Sequence, residues 1–181
     1  PFMMISPDAR SGGMGNLSLG MSAEPNDMFG NTAKLPLLEE KRGFLINYTP
    51  WLKDLGLNDV YYVTLSGYHQ LDETQSISAS LRYFSLGNIQ FTDLGGSPLG
   101  TYRPREFSFD AGYSRKLSKK MGLGIALRYI NSSLAKGDAG NTGTIYKAGT
   151  SVAGDIHFYY KGTNASGNGF DYGATLSNLG S

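Results

Sequence analysis

The sequence contains no cysteine, which excludes disulfides and thiolate metal sites without fixing the compartment. With only two histidines, an imidazole-based metal site has almost nothing to draw on. Net charge is +1 and no Lys/Arg-rich patch is present, which removes the case for nucleic acid as a partner. No apolar run approaches the roughly 18 residues of a transmembrane helix. The first residues carry no signal-peptide pattern, and a start at Pro1 rather than Met reads as a processed or truncated chain. Asp, Glu, Lys and Arg together make up 17% of the chain. In their place stand 25 Gly, 12 Tyr and 9 Phe, a composition of strands and turns rather than helices.

Counting apolar/polar alternation predicts seven strands, at about 43–49, 60–70, 75–85, 106–116, 121–131, 151–161 and 169–179. Short links, "LDET" (71–74), "LSKK" (117–120) and "GTNASGNG" (162–169), alternate with longer ones at 49–59, 86–105 and 131–149. The result is an up-and-down antiparallel meander with a short-turn end and a long-loop end. Bacterial outer-membrane barrels are asymmetric in this way, with short periplasmic turns and long extracellular loops.

The two faces of these strands differ in kind. From 121 to 129 the odd positions are Met121, Leu123, Ile125, Leu127 and Tyr129, and the even ones are Gly122, Gly124, Ala126 and Arg128. Ile77, Ala79, Leu81 and Tyr83 likewise oppose Ser76, Ser78, Ser80 and Arg82, and Phe107, Phe109, Ala111 and Tyr113 oppose Ser108, Asp110, Gly112 and Ser114. A soluble β-meander would put many Lys, Glu and Thr on its polar face. Here that face carries Gly, Ser and isolated charges: Arg82, Asp110, Arg128, Asp155 with His157, and Asp171. Signs alternate from strand to strand, which suits a lumenal network in which an arginine fork bonds carboxylates, whereas contact with lipid would cost several kcal/mol. Both arginines of the repeated Leu-Arg-Tyr triplet (81–83 and 127–129) therefore point inward. Asp110 and Arg128 lie at nearly matched heights across "LSKK", which predicts a direct or diagonal pair. Tyr48, Tyr83 and Tyr129 toward one end, and Tyr113, Phe158, Tyr160 and Phe170 toward the other, form the belts expected at membrane interfaces.

The fold class is thus all-β, an outer-membrane β-barrel of which about seven strands lie in residues 43–181. Single-chain bacterial barrels have even strand numbers, so the chain reads as about half of a fourteen-stranded barrel.

"PFMMISPDARSGGMGNLSLGMSAEPND", "YTPWL", "QSISASLRYFSLG", "FSFDAGYSRKLS", "ALRYINSSL" and "GATLSNLGS" occur in this order. Through them the chain resembles the PorV (LptO) family, FadL-like outer-membrane proteins of the type IX secretion system. The resemblance runs through nearly the whole chain. One departure is "MFGNTAKL" (28–35), where the family pattern has an aromatic followed by Asn-Pro-Ala; Thr32 in place of Pro is expected to loosen that turn.

The resemblance implies a carrier rather than an enzyme. It implies binding of the C-terminal signal domain of secreted cargo, receipt of that cargo from the translocon pore, and delivery to a sortase complex that attaches it to lipopolysaccharide. It also implies that residues 1–42 form a plug in the lumen; packing is expected there because Phe2, Met3, Met4 and Ile5 would otherwise be exposed. No cofactor is implied.

Two other classes compete with it, a FadL-like channel for hydrophobic small molecules and an outer-membrane hydrolase. An apolar lumen would favour the channel, and the polar ladder favours a sealed scaffold. Asp155 and His157 share a face, but no serine elbow or third partner accompanies them, so they read as part of the lumenal network. "GLGIAL" lies inside a strand with no helix after it and is no nucleotide loop. "GDAGNTG" (137–143) offers one Asp where calcium takes six to eight oxygen ligands. Cargo at the cell surface meets the long-loop end, where Trp51, Tyr102, Arg103 and Arg105 supply the residue types that anchor protein interfaces. Trp51 reads equally as a belt residue, and Pro104 as a loop stiffener.

Overall fold

The computed structural model describes residues 2–93, 95–135, 145–164 and 166–180. Lys136 and the "GDAGNTG" stretch lie outside the described residues. Nine strands are described: β1 (Arg42–Pro50), β2 (Val60–Gln70), β3 (Gln75–Leu86), β4 (Ile89–Thr92), β5 (Pro98–Tyr102), β6 (Arg105–Lys116), β7 (Met121–Ser133), β8 (Gly149–Tyr160) and β9 (Tyr172–Gly180). Seven form one sheet in the order β1-β2-β3-β6-β7-β8-β9, each antiparallel to its neighbours. These are the seven strands expected from alternation, and the class is all-β. The described sheet is open between β1 and β9. No described helix is long and apolar enough to cross a membrane.

Short turns are set by side chains that accept backbone N–H groups. Asp72 Oδ1 accepts from Thr74 N at 2.7 Å and Gln75 N at 2.8 Å, turning β2 into β3. Ser118 Oγ accepts from Met121 N at 3.1 Å between β6 and β7. At the other end, the stretch 86–105 holds a hairpin of its own, β4 paired with β5. Asp93 Oδ1 accepts from Gly95 N and Ser97 N, and Gly96 takes φ 83° at its tip, a conformation that favours glycine.

Alternation is sharp along the sheet. On β7, Gly122, Gly124, Ala126 and Arg128 are buried, whereas Leu127 is 67% and Ile125 56% exposed. An apolar outer face nine to thirteen residues tall is what a tilted membrane strand presents to hydrocarbon.

What buries the inner face is the N-terminal segment. It contains a short helix α1 (Ala9–Gly13), capped by Asp8, and 3-10 turns at Pro25–Phe29 and Thr32–Leu37, and the two turns lie against β1, β2, β3, β6, β7 and β8. Phe2, Met28, Ala33 and Leu35 supply the apolar core between segment and sheet. Inner-face glycines make room for the segment: a Cβ on Gly122 would land on the Ala33 carbonyl, on Gly124 on the Thr32 hydroxyl, and on Gly173 on the Leu19 carbonyl. The expected loosening at Thr32 is not what the structure shows. Asn31 Oδ1 caps the turn by accepting from Ala33 N at 3.2 Å, and Thr32 is wholly buried.

Candidate functional site

The inner face carries one dense polar centre. Asp110 and Arg128 are directly opposed on β6 and β7, and the arginine Nε donates to Asp110 Oδ1. Arg128 Nη2 lies 2.8 Å from Asp155 Oδ2, so one guanidinium bridges two buried carboxylates on flanking strands. Ser80 Oγ donates to Asp110 Oδ2 at 2.9 Å from the β3 side. Asn178 closes the β9 side: its backbone N–H donates to Asp155 Oδ1 at 2.7 Å, and its side-chain oxygen accepts from Arg128 Nη1 at 2.9 Å. Asn178 does this from a left-handed conformation, φ 60°, beside a register shift between Gly154 and Ile156. Sequence reasoning passed over Asn178; its signal is an Asn inside a strand pattern, the residue type most at ease with positive φ.

Arg82 and Asp171 sit elsewhere. Arg82 is opposite Ser108, one pleat away from Asp110, and forms no ion pair among the described residues. Instead its guanidinium lies 4.8 Å from the Phe29 ring centre and donates to the Phe29 carbonyl at 3.3 Å. The inward arginine of β3 therefore grips the N-terminal segment. Asp171 precedes β9 at the short-turn end, where it accepts from Tyr159 Oη at 2.8 Å and from Thr163 N and Oγ1. Partial burial pushes its carboxyl up, but these donors outweigh burial and hold it below the usual carboxylate range. His157 meets Thr175 Oγ1 at 3.3 Å, and that hydroxyl donates to the Gly30 carbonyl, so this pair too ends on the segment.

Further contacts fix the segment in place. Asn31 Nδ2 donates to the carbonyls of Phe158 at 2.9 Å and Leu19 at 3.2 Å. Lys34, 1% exposed, pairs with Asp27 and donates to Ser18 O at 2.7 Å. Thr64, Tyr68 and Gln70 of β2 each donate to a backbone carbonyl of the segment.

The long-link end brings together three of the strand junctions. Trp51 lies edge-on to Phe84, 5.8 Å between ring centres, and Phe84 in turn to Tyr62 of the inner face. Trp51 thus leans over the mouth of the sheet, away from the outer belt of Tyr48, Tyr61 and Tyr83. Tyr102 Oη meets Ser133 Oγ at 2.5 Å, tying the end of β5 to the end of β7. Asp59 Oδ2 accepts from Asn88 N and Nδ2, fastening the other stem of the hairpin. Pro104 is fully buried, while Arg103 and Arg105 are exposed and unpaired among the described residues.

A membrane-height antiparallel meander, greasy outside and seated inside on its own leading segment, defines a protein of the outer-membrane barrel class. Compared with curated proteins, the chain matches none. The family model described as "Type IX secretion system protein PorV" matches residues 1–181, and the chain belongs to that family. It is accordingly a type IX secretion system component of the outer membrane.

Proposed function

We propose that the protein is a carrier that holds secreted cargo at the cell surface. In this reading it binds the C-terminal signal domain of cargo at its long-loop end, takes the cargo from the translocon pore and passes it to the sortase complex that attaches it to lipopolysaccharide. The observation that carries the reading is the β4–β5 hairpin, held on both stems by Asn88–Asp59 and Tyr102–Ser133 beside two uncommitted guanidinium groups. A platform held in this way loses little conformational freedom on binding, and Arg beside aromatic area is the chemistry of interface anchors. The segment ahead of β1 acts as a plug. Part-buried polar contacts from β2, β3, β8 and β9 to that segment support a sealed scaffold over a channel for hydrophobic molecules.

The test separates platform from contact. Arg103→Ala with Arg105→Ala should cut co-purification of a cargo signal domain at least about tenfold, the size of one or two interface anchors. Tyr102→Phe, which keeps the ring and loses the tie to Ser133, should have a smaller effect. Full cargo recovery by the double variant in an assembled barrel would place capture elsewhere.

A further inference from the structure

The outer face is not uniformly bulky. Gly67 on β2 and Ala79 on β3 stand side by side in register, and Ala111 continues the row on β6. Over Gly67 and Ala79 the surface sinks into a trough of about 500 Å³. Phe44 closes one end, Leu65, Leu81 and Phe109 form the wall toward the long-loop end, and Ile77 and His69 form the wall toward the short turns. At that lower wall Arg42 faces His69 directly across the β1–β2 ladder. Among the described residues neither side chain has an ion pair.

We propose that this trough is a phospholipid site: one acyl chain lies over Gly67 and Ala79, and the headgroup phosphate sits on Arg42 and His69. A depression walled by large apolar side chains on a hydrocarbon-facing surface takes a chain, and it holds one chain in particular only if something fixes the other end. Arg42 does so. Its pairing level lies two residues along the strand from the trough floor, about 7 Å, and a guanidinium at the headgroup level with no protein carboxylate has a phosphate as its natural partner. Charge complementarity is also what decides against a partner's apolar helix, which would fill the trough and leave the Arg42 guanidinium unanswered. The site lies in the half of the sheet nearest the short turns, so the lipid belongs to the leaflet at that end.

Native mass spectrometry of the full chain in mild detergent, titrated with phosphatidylethanolamine, tests this. Wild-type protein should take up one phospholipid saturably and bind diacylglycerol, which lacks the phosphate, several-fold more weakly. Ala79→Leu fills the trough and should weaken uptake at least about tenfold, the effect of displacing two methylenes' worth of contact. Arg42→Gln leaves the trough intact and should bring phosphatidylethanolamine down to the level of diacylglycerol. Heat-modifiable migration checks assembly; if Ala79→Leu does not assemble, Arg42→Gln decides alone. The proposal is overturned by uptake that both variants leave unchanged, by equal binding of the two lipids, or by a protein partner on this face that phospholipid does not displace.

Discussion

On β7 the residues Gly122, Gly124, Ala126 and Arg128 face inward while Leu123, Ile125, Leu127 and Tyr129 face outward, so the same strand is matched to two different surroundings. Outside is hydrocarbon, which reshapes itself around any apolar side chain. Inside is a folded polypeptide whose carbonyls stand where a Cβ would be. The outer face therefore needs only a class of residue, and the inner face needs particular residues at particular heights. This also explains why the inner face is rich in Gly and Ser: it is a seat for backbone.

The largest test of that contrast compares neighbours. Gly122→Val should abolish the assembled, heat-modifiable form, because the added Cβ already lands on the Ala33 carbonyl, whereas Leu123→Val should assemble as wild type. Equal assembly of the two would break the comparison. Next in size is Arg128→Met, which strands Asp110 and Asp155 without their cation and should cost about 3–5 kcal/mol. Its outer neighbour sharpens the point: Leu127→Lys puts a charge into hydrocarbon and should cost about 2–4 kcal/mol. Urea unfolding in lipid vesicles ranks the two. Asn31→Ala removes the donors to Phe158 O and Leu19 O and should cost about 1–3 kcal/mol, read as faster proteolysis of residues 1–42 with the strands intact. The smallest effect lies at the rim. The Thr74 hydroxyl and backbone N–H hold the exposed Asp72 carboxyl below its usual range. A depressed carboxyl contributes stability above its unfolded pKa and loses it as pH falls through its folded value. Amide protection at Thr74 and Gln75 should weaken only on the acid side, and Asp72→Asn should remove that pH dependence.

Strand positions, facing and the Asp110–Arg128 pair were legible because all three depend on a period of two and a four-residue turn, both local. The hairpin inside 86–105 was not. "IQFT" and "PLGTY" are too short to show alternation, and Pro98 and Gly100 read as loop. Nor was the partner of Arg82. An inward arginine near an inward aspartate suggests a pair, but the pleat offset toward Ser108 and the position of Phe29 are set by how a distant segment packs. Asp171 falls in the same group, since its donors, Tyr159 and Thr163, belong to the end of β8 and the turn after it.

The glycine seats also impose an order in time. Asn31 reaches Phe158 across 127 residues of chain, and Thr175 reaches Gly30 across 145. Such distant contacts are slow to form because the intervening chain must be organised first. The segment that is synthesised early thus cannot reach its final bonds until β8 and β9, synthesised late, have been placed. Residues ahead of β1 are therefore fully seated only once β8 and β9 have paired, so their docking reports completion of that part of the sheet.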